Sequence, residues 1–309
     1  MEEYKHSRDE MCLEASNVRD VSQEVCLQNR KIGSSDSEAQ NGIPVQEDMR
    51  DRFSCVTKYL LLMSLDDCSI YSRLPFMHEL EDIEFFGIYE VTNLLALCLF
   101  REDFNRILER RSEINTESEM DHAQFLLSRC VLLCREPTYP RFVLTVAFLS
   151  NVVVLDVDDL ECFRVAYIAE FCLNVLYRRI FWKIFRSRED YQKLRIFCHE
   201  FYKQFDLCSA ITELRKAPFY VTWQKLIQGC IEDPKIIFPF EESEIEMFCN
   251  ARQVMNNMEC KPEMAWKIEN TYFSSLGLRK MQSLCQFCGT KCHNYLTYVS
   301  SFISKKLKN

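Results

Sequence analysis

The sequence predicts an all-α fold, an irregular multi-helix bundle or degenerate helical array with a disordered N-terminal arm, on three observations. Helix breakers are scarce: 309 residues hold six glycines and eight prolines, and beyond residue 50 the glycines are Gly87, Gly229, Gly277 and Gly289. Dinucleotide-binding sheets, phosphate-binding loops, barrels and sandwiches all rely on glycine turns, so that scarcity opposes them. Apolar residues recur at three- and four-residue steps, the period of a helix that buries one face. The clearest β-rich run, Val152-Val153-Val154-Leu155, finds no second strand to pair with, so residues 140–155 are read as helix. The 48% hydrophobic and 13% aromatic content supplies a large core.

Residues 1–50 read differently. They carry eleven acids, six bases and a single aromatic, Tyr4, which leaves only about −3 of the chain's net charge of −8 for the remainder. Low hydrophobicity with excess charge cannot offset the entropy of ordering, so this stretch is expected to be a disordered acidic arm. Residues 51–309 are expected to form the helical domain, with a candidate division near 234–242. The opening Met-Glu-Glu-Tyr-Lys-His shows no basic start or apolar run, so no secretory signal is expected. Seventeen cysteines, an odd number lying mostly inside apolar runs, suit a reducing compartment, cytosol or nucleus, where thiols act as small hydrophobes.

Taken in order, Phe53, Val56, Tyr59, Leu60 and Met63 make the first helical stripe, ending near Asp66-Asp67. A second helix is expected over 77–100 and a further turn or two over 103–111. Thr116 with Glu119 is a candidate capping box for the helix bearing Phe125, Leu126, Cys130 and Leu133, which stops before Pro137. Pro140 suits the first turn of the next helix. Asp158 or Asp159 is expected to cap a long central helix reaching about Arg186. Ser187 with Asp190 marks a fresh start, carrying Leu194, Phe197, Cys198, Phe201 and Phe205. Helices are then expected over 207–214, 219–227, from a Ser243/Glu246 capping box onward, from Pro262, and over 284–303. The apolar stretches 142–155 and 165–176 fall short of the ~20 residues of a bilayer span, so no membrane span is expected. No repeat of the ankyrin or tetratricopeptide kind is found.

Two constellations carry candidate chemistry. Cys285, Cys288, Cys292 and His293 offer four possible zinc ligands within nine residues. Structural zinc sites usually join two distant ligand pairs, and Cys285, Cys288, Cys292, Tyr295, Val299 and Phe302 also form one heptad stripe, so a core-facing helix is the favoured reading and zinc the alternative. The segment 177–195 holds seven bases against two acids, interleaved with aromatics. Arg178, Arg179, Lys183 and Arg186 complement a helix C-terminus, and they are candidates for meeting an acidic protein segment or, less favoured, nucleic acid. Phe219, Trp223, Phe238 and Phe240, near prolines, are a candidate contact patch.

Phosphate-binding loops, dinucleotide fingerprints, nucleophile elbows and zinc-protease motifs are missing from the sequence, and its five histidines are scattered. An enzyme site would have to be assembled from distant residues such as Asp158, Glu170 and His199. The expected function is therefore a non-enzymatic scaffold or adaptor subunit that binds other proteins in an intracellular assembly, with no cofactor. The alternative is a nucleic-acid-associated or zinc-binding protein.

Overall fold

The computed structural model describes residues 43–67, 85–113, 118–160, 163–203, 214–233 and 236–257. The acidic stretch 1–42, the Cys285/Cys288/Cys292/His293 cluster, and the helices expected over 207–213, from Pro262 and over 284–303 lie outside the described residues. Among the described residues every regular element is helical. In chain order these are α1 (Ile43–Met63), α2 (Phe86–Asn93), α3 (Arg101–Glu109), α4 (Glu119–Leu133), α5 (Tyr139–Leu160), α6 (Arg164–Arg179), α7 (Arg188–Lys203), α8 (Pro218–Glu232) and α9 (Glu242–Asn257). The described residues from Val45 onward belong to one compact unit. Helix α1 starts at Ile43, so 43–50, assigned above to the arm, are helical.

The centre is α5. From Phe142 to Val154 its side chains are buried without a break, and α2, α3, α4 and α6 pack around it. The β-rich run Val152–Leu155 is helical because burial on all sides removes the need for a strand partner; propensity yields to packing. Tyr139–Val157 is long and apolar enough to cross a membrane by length and composition alone, longer than the sequence reading allowed, but 83% of the span's most apolar window is buried within the fold, which leaves little surface to face lipid.

Helix starts and stops explain several departures from expectation. The box that opens α4 is Ser118/Asp121 rather than Thr116/Glu119: Ser118 Oγ accepts from Asp121 N at 3.1 Å and Asp121 Oδ2 accepts from Ser118 N at 3.0 Å. Asp158 and Asp159 continue α5 instead of capping its successor, and α6 begins at Arg164 after Phe163, without a side-chain cap. It ends at Arg179, short of Arg186, where the chain tightens into a 3₁₀ turn at Phe181–Lys183. Asp190 opens α7 as expected, its Oδ2 accepting from Ser187 N at 3.0 Å and from Arg186 N at 2.9 Å. Pro218 occupies the start of α8, which carries Phe219 and Trp223 on a regular helix and not in irregular chain. Glu244 Oε2 receives the Glu241 N–H at 3.0 Å, so α9 is opened by Glu241/Glu244, two residues earlier than Ser243/Glu246.

After α2 the helix widens into a π turn over Leu94–Leu99, closed by Phe100 N donating to Leu95 O at 3.0 Å. The extra residue rotates Phe100 toward α8, where it stacks on Tyr220 with ring centroids 5.1 Å apart and meets the edge of Trp223.

Candidate interaction surface

The basic stretch is built on buried aromatics. Phe181 meets Phe142 edge-on at 5.2 Å, and Phe185 lies 5.0 Å from Phe142 and stacks on Tyr191 at 4.8 Å. Tyr191 in turn donates to the Met49 carbonyl at 3.0 Å, tying α7 to α1. With Phe181 and Phe185 both inside, the 3₁₀ turn between them faces outward: Trp182 is 42% exposed, and Lys183 is exposed beside it. The Arg186 guanidinium lies 5.5 Å from the Trp182 ring centroid, a cation–π contact that orders both side chains. Arg178, also exposed, reaches Ser243 Oγ at 3.5 Å.

Arg179 has a different task. Its Nε donates to Glu244 Oε1 at 2.7 Å, its Nη2 donates to the Pro239 carbonyl at 3.0 Å, and its guanidinium lies 4.4 Å from the Phe238 ring centroid. Glu244 is almost wholly buried. This cation therefore fixes the 236–241 link and the start of α9 against α6. The predicted contact aromatics share that internal role. Trp223 and Phe238 are buried, Phe219 is half-buried against Trp223 and Phe201, and Phe240 packs on Phe238 and Phe171. The expected patch is thus divided: Arg178, Lys183 and Arg186 face out with Trp182, while Arg179, Trp223 and Phe238 hold the fold together.

Three buried polar arrangements escaped the sequence reading. Lys58 on α1 and Glu170 on α6 form an ion pair at 2.7 Å with both side chains at least nine-tenths buried, and Lys58 also donates to Ser54 Oγ at 2.6 Å. Glu170, considered for an enzymatic role, is consumed here, and His199 sits on the exposed side of α7. Arg129 on α4 is 1% exposed, and its Nη1 donates to the last carbonyls of α8, Cys230 O at 3.1 Å and Asp233 O. Its neighbours Gln124 and Ser128 bond the Phe238 carbonyl and N–H at 2.8 and 2.9 Å, so one face of α4 holds the chain after α8 by its backbone. Arg111 grips Asp156 through both carboxylate oxygens at 2.8 Å and approaches His122 Nε2 at 3.3 Å. A guanidinium only donates, so Nε2 presents its lone pair and His122 is neutral. Burial, then Arg111 and Arg164, push its pKa down to about 3.

The thiols are equally quiet. Cys130 on α4, Cys134 at its C-cap, Cys172 on α6 and Cys230 on α8 are buried near one another, and desolvation raises all four, Cys134 and Cys230 to about 12. Cys172 and Cys230 donate weakly to the Ala123 and Arg129 carbonyls at 3.7 and 3.6 Å. Neutral thiols of this kind fill space; they lack the thiolate that metal binding or nucleophilic attack requires. Among the described residues no group of three or more His, Cys, Asp or Glu side chains is arranged to hold a metal ion.

No family model, curated protein or solved structure matches this chain.

Proposed function

We propose that the chain is a non-enzymatic helical scaffold or adaptor subunit that binds other proteins in an assembly of the cytosol or nucleus. The observation that carries this reading is Trp182: a large apolar ring held outward by a turn whose flanking aromatics, Phe181 and Phe185, are locked in the core. Ordered, exposed tryptophan beside arginine is the composition of an energetic centre at protein interfaces, because little side-chain freedom remains to be lost on binding. The buried ionisable groups support the same reading. Lys58, Glu170, Arg111, Asp156, Arg179 and Glu244 are engaged in internal ion pairs, and the buried thiols are held neutral. The exposed cations Arg178, Lys183 and Arg186 favour nucleic-acid association as the second reading.

Photo-crosslinking tests it. With a benzophenone amino acid at position 182 of the full chain in native extract, defined protein adducts are expected, lost when unlabelled full chain is added in excess. Adducts to nucleic acid alone, or none from position 182 or from the exposed Val221, Ile245 and Val254 positions, would contradict it.

A further inference from the structure

We propose that the occupant of the Trp182 edge is a short acidic segment of a partner protein carrying one apolar side chain that seats on the indole; this rests on the protein-binding reading above. Two observations select that chemistry. The first is sign. Arg178, Lys183 and Arg186 are exposed within one short stretch of chain, and the Arg186 guanidinium stacks on Trp182, while the nearby Asp190 carboxylate is held by the Arg186 and Ser187 backbone N–H groups and by Lys193. Arg179, one residue from Arg178, is by contrast occupied by Glu244 and Glu241. An anionic ligand therefore meets cations and an aromatic face together.

The second observation is length. The edge is bordered by acid on the side of α9. Arg178 touches Ser243 in the first turn of α9, where Glu242 is exposed beside Glu241, whose side chain is 63% exposed, and exposed Glu246 follows in the next turn. The first turn of α7 is mixed in sign, with exposed Arg188 beside exposed Glu189 and Asp190 paired to Lys193 at 3.1 Å. A phosphate backbone running from the edge toward α9 would meet this acidic border and be repelled. A short peptide can place its carboxylates over Arg178, Lys183 and Arg186 and end before that border. The apolar contact with Trp182 then fixes register, which charge alone would leave free.

Binding is measured on the full chain with three fluorescent probes: a Glu/Asp-rich synthetic peptide of about a dozen residues with one central leucine, its Gln/Asn counterpart, and a single-stranded oligonucleotide of equal length. The acidic peptide is expected to bind, to weaken as salt rises, and to outcompete the oligonucleotide; the neutral peptide is expected to bind far more weakly. Trp182→Ala should weaken the acidic peptide about tenfold, with Trp182→Phe retaining part of the affinity. R178Q/K183Q/R186Q should remove most of the salt dependence. Unchanged circular dichroism and melting of these surface variants keep folding out of the result. Equal binding of acidic and neutral peptides, tighter binding of the oligonucleotide, or no effect of Trp182→Ala would each overturn the proposal. Protein adducts from positions 221, 245 or 254 with none from 182 would overturn it while leaving the protein-binding reading intact.

Discussion

Lys58 and Glu170 illustrate how much of this fold hangs on single side chains. Bringing two opposite charges out of water is costly, and their attraction at 2.7 Å offsets that cost only while both are present. Lys58→Met should therefore lose about 3–5 kcal/mol, because it strands the Glu170 carboxylate in the interior. Adding Glu170→Met should restore most of the loss, and chemical denaturation of the two variants reads the difference. His122 makes a pH-dependent contribution with a definite sign. Its folded pKa of about 3 lies below its ordinary value of 6.5, so the unfolded chain takes up the proton first. The stability it supports is complete above about pH 6.5 and falls as the pH drops toward 3, approaching ~1.4 kcal/mol per pH unit. Arg111, Arg164, Asp156 and Glu119 line the same region. Carboxylates titrate mainly below about pH 5, so the slope between pH 6.5 and 5 reports the histidine. His122→Gln should flatten that slope in urea titrations; an unaltered slope would assign the acid sensitivity to other groups. The thiols give a third test. Under native conditions near pH 8, a thiol-selective disulfide reagent should modify exposed Cys98 and Cys249 quickly and leave Cys130, Cys134, Cys172, Cys198 and Cys230 intact, as read by peptide mass mapping.

Among the elements, the sequence was legible where a signal is local. Periodicity located α1, α4, α5 and α7, and the Ser187/Asp190 pattern marked the start of α7 because both groups of that cap lie three residues apart. Legibility failed where a distant partner decides. The α6 helix stops at Arg179 because Phe181 and Phe185 are drawn into the aromatic cluster around Phe142, a residue nearly forty positions earlier. Nothing in 177–195 distinguishes Arg179 from Arg178, yet one is committed to Glu244 and the other faces out. Their roles separate only when α9 docks. The Arg129 cap on α8 is likewise set by packing of α4 against α8, so a lone arginine between apolar residues was its only trace in the sequence. These attachments predict that Arg179→Gln loosens the link and α9 while leaving the α5 core folded. Limited proteolysis should then cut near 233–241 much faster than in the parent chain, with little change in overall helicity.

For the whole molecule, the inference from glycine scarcity to helices packed on helices held because it depends on composition over hundreds of residues. The sequence places the central helix at about 158–186; the structure puts the preceding helix, α5, at the centre, with α6 packed against it. That enclosure is what turns the chain into a rigid platform: buried charge, thiols and most aromatics serve α5 and its neighbours, and Trp182 with its arginines is left outside. Amide hydrogen exchange on the full chain in plain buffer tests this most directly. The account predicts that amides of 142–157 are the last to exchange, at the rate of global unfolding, with α9 far faster. Exchange of 142–157 as fast as that of α9, or protection there that arises only when detergent or lipid is added, would contradict it.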